Sequence, residues 1–214
     1  MTNDFSPTAE TYADFQTAYA ALNMALFGGD LPDVMFTLAR SRHANGYIIP
    51  EGFSALTDSS KIAEIGLNPS TFAHRTPLQI LSTIAHEMVH FAQYLDGAMP
   101  ANGYHDKDFA RRMCAIGLWP SSTGKPGGRT TGFKMSHYIV PGPFETVASD
   151  LIAKGWTVRY TSPIETEADR TARARRNASK TRYVCLCGAR IWGRPGLTLT
   201  CSSDGHPPLE MTPT

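Results

Sequence analysis

His86-Glu87-Met88-Val89-His90 is the segment whose residue types and spacing could do chemistry. Two imidazoles at i and i+4 share one face of a helix, one turn apart, where both can reach a single Zn²⁺. Glu87 lies beside that face, placed to reach a water activated by the ion without ligating the ion itself. Zinc lowers the pKa of such a water to about 7, and a carboxylate then takes its proton as the water attacks a carbonyl. The pattern points to a metallohydrolase with His86 and His90 as ligands and Glu87 as general base.

A catalytic zinc takes three protein ligands and keeps one position open. The chain excludes two familiar solutions. A glycine at position 93 and a histidine at 96 would extend the motif in one zinc-protease class, but Gln93 and Asp96 stand there. A downstream glutamate serves in another, yet none occurs between Glu87 and Glu145. The histidines left after the motif are His105, His137 and His206. His105 precedes a predicted helix, and Asn102-Gly103 supplies a turn that can bring it back, so it is the favoured third ligand. His137, in a strand candidate, and Asp96 are the alternatives.

The elements that must position these residues are readable from periodicity and capping. Thr76 is an N-cap, Pro77 suits the first helical position, and Gly97 is a stop, so a helix should run from 77 to about Leu95. Leu78, Leu81, Ile84, Ala85, Met88, Ala92 and Leu95 repeat every three or four residues and form its buried stripe. His86 and His90 fall off that stripe and should face a cleft. Upstream, Tyr12, Phe15, Tyr19, Leu22 and Leu26 mark an amphipathic helix over Thr8–Phe27. Strand candidates follow at Val34–Ala39, Gly46–Ile49 and Lys61–Leu67, with turns around His43–Gly46 and Asp58–Ser60. A small antiparallel sheet is expected from them. Downstream, a helix from Asp106 to Gly117 carries Phe109, Met113 and Ile116 on one face. Residues 118–144 read as long Gly- and Pro-rich loops around a strand at Phe133–Val140. A helix at Phe144–Lys154 and a strand at Trp156–Tyr160 complete the first part, and the fold class is α+β.

Composition is that of a globular chain: 214 residues, 42% hydrophobic and 18% charged. No apolar run approaches the roughly 20 residues of a membrane span, and Met1–Glu10 lacks the basic and apolar regions of a secretory signal. A cytoplasmic location is expected, with association to the nucleoid as an option, and oligomeric state is not legible. Charge is sorted along the chain. Residues 1–169 hold 12 Lys/Arg and 17 Asp/Glu, a balance of −5; residues 170–214 hold 8 and 2, a balance of +6. Such sorting implies two functional parts. The boundaries are drawn at 1–160, a basic linker at 161–181, and a small module at 182–214.

That module contains Cys185, Cys187, Cys201 and His206, with Gly188 suited to the tight turn after a metal-binding knuckle. Clustered cysteines in a chain without an export signal suggest metal rather than disulfides. Two ligand pairs at hairpin tips would make a zinc ribbon holding a second, structural zinc; a decayed ribbon without metal is the alternative. Arg173, Arg175, Arg176, Lys180 and Arg182 could contact DNA phosphates, while Trp192 or Tyr183 could stack on unpaired bases. A solvated linker is the plainer reading of the same cations.

The chain resembles the SprT-like zinc metalloproteases, of which the Spartan-like proteases are members. The resemblance rests on Leu26-Phe27-Gly28-Gly29-Asp30-Leu31-Pro32, Gly46-Tyr47, Glu64-Ile65-Gly66-Leu67-Asn68-Pro69, Leu81 to His90, and His105 with Phe109, Met113 and Gly117. It implies a zincin-like domain of helices on a small sheet, peptide-bond hydrolysis, and His105 as third ligand, because the family's third histidine falls at this distance. Tyr104 stands where the family usually has glycine. Many members end in a zinc ribbon; here the first pair is C-x-C, and His206 stands in for the last cysteine. For Spartan-like members the substrate is protein crosslinked to DNA. Two other functions compete: a nucleic-acid-binding zinc-ribbon adaptor whose metal site is vestigial or structural, and a peptidase of free peptides with an idle tail.

Overall fold

The structure, a computed structural model, describes residues 6–41, 44–163, 167–203 and 205–214, without the side chains of 102, 167, 170 and 177. The expected turn at His43 and the side chain of Arg170 lie outside the described residues. The chain divides into two compact units, Met1–Pro163 and Ile164–Thr214.

The first unit begins with α1 (Pro7–Phe27), which buries Phe15, Ala18, Tyr19 and Leu22 along one face. Gly28 closes it at φ 68°, a left-handed cap that glycine reaches without a Cβ clash. Asn23 then clasps the next segment: Nδ2 donates to Leu31 O at 2.8 Å and Oδ1 accepts from Leu31 N at 3.2 Å. Strands β1 (Val34–Leu38), β2 (Gly46–Ser54) and β3 (Lys61–Leu67) form one sheet in the order β1-β3-β2. β2 pairs antiparallel with β3, but β1 runs parallel to it, Val34 opposite Ala63 and Leu38 opposite Leu67. The all-antiparallel expectation is corrected to a mixed sheet. The reason is that β3 buries Ala63, Ile65, Gly66 and Leu67, so it takes the centre and is paired on both edges. β2 is left as an edge, and its Gly46 end lies against the helix that follows.

That helix, α2 (Pro77–Leu95), starts on a reciprocal cap. Thr76 Oγ1 accepts from Gln79 N at 3.2 Å, and Gln79 Oε1 accepts from Thr76 N at 2.9 Å. Every residue from Ile80 to Phe91 is buried. A helix covered all round is a core helix rather than a surface one, so the single-stripe expectation is too simple. Leu95, at the end of the stripe, is exposed, and other elements cover His86 and His90.

Helix α3 (Lys107–Ala115) is capped by Asp106, whose Oδ1 accepts from Phe109 N at 2.8 Å. It buries Phe109 and Met113, with Ile116 just beyond its end. The strand expected within Phe133–Val140 is present as β5 (Ser136–Ile139), but the loop reading misses its partner: β4 (Leu118–Ser121) pairs antiparallel with it, Pro120 opposite His137. Helix α4 (Pro143–Ala153) buries Phe144, Ala148 and Leu151 and packs on α1 and α2. Trp156–Tyr160 forms no ladder, contrary to the strand expectation. Trp156 is instead anchored by donating Nε1–H to Asp14 O at 2.7 Å, and Arg159 pairs with Asp14 at 2.9 Å; α1 holds this segment through side chains.

In the second unit, part of the stretch read as a linker folds as α5 (Glu167–Ala178). It is followed by β6 (Thr181–Val184), β7 (Arg190–Gly193), β8 (Thr200–Cys201), β9 (Leu209–Glu210) and β10 (Thr212–Pro213). They make one sheet ordered β10-β6-β7 and a separate β8-β9 pair. Tyr183, Cys185, Cys201 and Met211 form its small core.

Candidate metal centre

α2 presents His86 and His90 one turn apart, and the chain before α3 returns His105 to meet them. One ring nitrogen from each of the three lies within 4.8 Å of the others. Nε2 of His86 and Nε2 of His105 are 3.2 Å apart. A tetrahedral zinc with Zn–N bonds of about 2.0–2.1 Å needs ligand nitrogens about 3.3 Å apart, so this donor set fits the ion. His90 Nδ1 is buried with no hydrogen-bond partner among the described residues. Such a polar atom costs about 1–3 kcal/mol if nothing satisfies it.

His105 is held by backbone pairing at a distance. Its N–H and C=O exchange hydrogen bonds with Gly132, at 2.9 and 3.0 Å, in an isolated antiparallel bridge. Its ring Nδ1 lies 3.0 Å from the same Gly132 carbonyl. A carbonyl can only accept, so Nδ1 carries the proton and Nε2 keeps a lone pair for a metal. Gly132 sits at φ 147°, a conformation glycine favours.

Phe109 is the floor of the site. It is fully buried, and its ring centroid lies 4.2 Å from that of His90, 4.9 Å from His86 and 4.7 Å from His105. Its apolar position on α3 was visible in the sequence, but no signal marked its contact with three imidazoles.

The two alternative third ligands are placed elsewhere. Asp96 pairs with Arg112 at 2.7 Å, which ties the end of α2 to α3. His137, on β5, lies against the other side of His86: the two Nδ1 atoms are 3.3 Å apart, and His137 Nε2 is 2.8 Å from Ser82 Oγ.

Burial controls the protonation states. It drives His86 well below the ordinary imidazole value, with the neighbouring His137, His90 and His105 adding to the effect. It lowers His90 to about 3 and His105 in the same direction. Three neutral imidazoles are the state that metal binding requires. Burial pushes the Glu87 carboxyl the other way, up to about 8. Gly46 on β2 crosses just over Glu87. A Cβ there would lie 2.8 Å from Thr83 Cγ2 and 3.4 Å from Glu87 Oε1, so the lack of a side chain lets β2 pack this closely on α2.

In the second unit Cys185, Cys187, Cys201 and His206 form another group with ligand atoms within 4.8 Å. Cys187 and Cys201 Sγ are 3.8 Å apart, too far for a disulfide, and both are free thiols. Cys185 Sγ and Cys201 Sγ lie 3.6 and 3.7 Å from His206 Nε2. Zn–S bonds of about 2.3 Å place tetrahedral sulfurs about 3.8 Å apart. His206 Nδ1 donates to Pro207 O at 2.6 Å, leaving Nε2 free to ligate.

Of the basic residues, Arg175, Arg176, Lys180 and Arg182 are exposed and Arg173 is partly buried. Lys180, Trp192 and Arg194 share the rim of a pocket of about 690 Å³. Trp192 is 65% exposed, opposite Arg182 across the β6–β7 pair. Tyr183 cannot stack on a base: it is fully buried, with its hydroxyl donating to Arg194 O at 2.7 Å. No helix among the described residues is long and apolar enough to cross a membrane.

No curated protein matches the chain. A family model described as the SprT-like family matches residues 15–129, just over half of the 214.

Proposed function

The chain belongs to the SprT-like family, and from that membership we propose a zinc-dependent metalloprotease of zincin-like fold that hydrolyses peptide bonds in DNA-associated or DNA-crosslinked proteins. The observation that carries the reading is the convergence of three neutral imidazoles, His86, His90 and His105, on the helix turn that also bears Glu87.

His86, His90 and His105 would hold the ion. When bound, zinc supplies Lewis-acid polarisation and lowers the pKa of water to about 7. Glu87 accepts the proton of the attacking water on its carboxylate and delivers it to the nitrogen of the leaving amine. Burial raises its carboxyl from 4.5 to about 8 in the metal-free protein; a cation bound beside it would favour the ionised form, the form that can accept a proton. Gly46 lets β2 pass close to Glu87, and the buried Phe109 closes the site beneath the rings.

Residues 1–160 are the protease domain in this reading. Cys185, Cys187, Cys201 and His206 hold a second, structural zinc. The basic stretch 161–181 and the ribbon 182–214 bring the enzyme to DNA through Arg173, Arg175, Arg176, Lys180 and Arg182, with Trp192 stacking on bases. The expected location in this reading is the cytoplasm, with nucleoid association as an option.

The test is zinc content together with cleavage of a DNA-bound protein, and of the enzyme itself with DNA present, for wild type and Glu87→Gln. Two zinc ions in both proteins, with cleavage in the wild type alone, support the reading. A fully zinc-loaded wild type that cleaves nothing would instead identify a DNA-binding adaptor with a structural metal site.

A further inference from the structure

We propose that His137 is a positioning residue that fixes the tautomer of His86, through a one-way hydrogen-bond chain ending on the backbone of α2. The proposal rests on His86 being a metal ligand, but the chain itself is a property of the protein's own side chains.

The direction follows link by link. Ser82 Oγ donates its single proton to Gln79 O at 2.9 Å. With that proton committed, Ser82 Oγ can only accept from His137 Nε2 at 2.8 Å. His137 is partly buried, with one ring nitrogen on Ser82 and the other on His86. A neutral imidazole carrying its proton on Nε2 presents a lone pair at Nδ1. His86 Nδ1, 3.3 Å away, must therefore be the donor. A metal-ligating imidazole is neutral, so with its proton on Nδ1 the Nε2 of His86 is a bare acceptor.

Nε2 of His86 faces Nε2 of His105 at 3.2 Å, and Gly132 strips that second nitrogen of its proton by the same logic. Two independent devices thus leave two lone pairs pointing at each other with no proton between them. Neutral imidazoles left to themselves would place a proton there and form a hydrogen bond. The arrangement is favourable only with a cation between the two nitrogens. Partners of this kind on a ligand's second nitrogen typically set metal affinity by 10–100-fold. Ser82 lies one turn before His86 on α2, so a ligand and the anchor of its chain move together. The β4–β5 hairpin supplies His137, and the hairpin's packing thereby reaches the metal site.

The experiment uses the full-length chain and two readouts. In the metal-free protein, long-range ¹H–¹⁵N correlation spectra of the histidine side chains report tautomers directly. His86 is expected as Nδ1–H in the wild type and as a mixture or Nε2–H in His137→Phe. Ser82→Ala, a one-hydroxyl change that leaves the fold intact, is expected to weaken the preference. Zinc affinity, measured by competition with a chromophoric chelator, should fall roughly 10–100-fold in His137→Phe, less in Ser82→Ala, and recover in His137→Gln, whose amide can accept from His86 and donate to Ser82. His86 remaining Nδ1–H in both His137→Phe and Ser82→Ala would overturn the proposal, as would unchanged zinc affinity across the three variants. If the wild type binds no zinc at His86, the metalloprotease reading fails, while the tautomer measurement still decides the chain.

Discussion

Phe109 stacks on the imidazole of His90, with ring centroids 4.2 Å apart and planes 24° from parallel. The same ring meets His86 and His105 edge-on. One apolar side chain therefore supports all three candidate ligands and belongs to the main core at the same time. Phe109→Ala should destabilise the protein by about 3–5 kcal/mol, the usual cost of an aromatic-to-alanine cavity. It should also loosen zinc binding, since the rings lose their common support. Urea unfolding and a chelator titration measure the two effects. A loss below about 1 kcal/mol would show that the site does not depend on its floor.

The buried ionisable groups impose a pH dependence with two opposed parts. In the metal-free protein, His86, His90, His105 and His137 all lie below their ordinary value of 6.5, His90 at about 3 and His137 at about 4. As pH falls below 6.5 the unfolded chain takes up protons that the folded chain refuses, so stability is lost. Glu87 acts in reverse. Between 4.5 and about 8 the folded protein keeps a proton that the unfolded chain has released, so stability falls as pH rises. Glu87→Gln should therefore be more stable than the metal-free wild type, with a gap that widens from pH 4.5 to about 8. Contributions from the second unit cancel in that difference. Urea midpoints across this range check it, and a gap that narrows with pH would sink the argument.

The second cysteine–histidine group predicts a stoichiometry. Cys201→Ser should remove one of two zinc ions and leave the other in place, with peptide hydrolysis retained. Metal analysis after dialysis reads this. A variant that still carries two zinc ions would exclude Cys201 as a ligand.

The basic residues predict a salt effect. Replacing Arg173, Arg175, Arg176 and Lys180 by serine should weaken DNA binding with little regard to base sequence. It should also flatten the plot of log K against log salt, by roughly 0.7–0.9 for each phosphate that the variant no longer neutralises. Cleavage of a short unstructured peptide should be unchanged, whereas cleavage of a DNA-bound protein should drop because the local enzyme concentration falls. Equal DNA affinity of wild type and variant at low and moderate salt would return these cations to the role of a solvated surface.

Sequence alone determined what depends on neighbours along the chain. Thr76, Pro77 and the apolar period located α2; Asp106 located α3; and the i, i+4 spacing put His86 and His90 on one turn. Caps and helical periods are local interactions, so they can be read in one dimension. The tertiary structure decided what depends on remote pairing. His105 reaches His86 across 19 residues only because Gly132, 27 residues further on, closes a backbone bridge with it. His137 reaches His86 across 51 residues through a hairpin whose first strand, Leu118–Ser121, contains a proline and too few residues to show a period. The same limit explains the mixed sheet, since which edge of β3 accepts β1 is a question of packing and not of spacing. It also explains Tyr183, whose phenol turns inward to hold Arg194 and Leu197. An aromatic residue beside arginines looks alike in sequence whether its ring faces solvent or core; only the surrounding fold chooses.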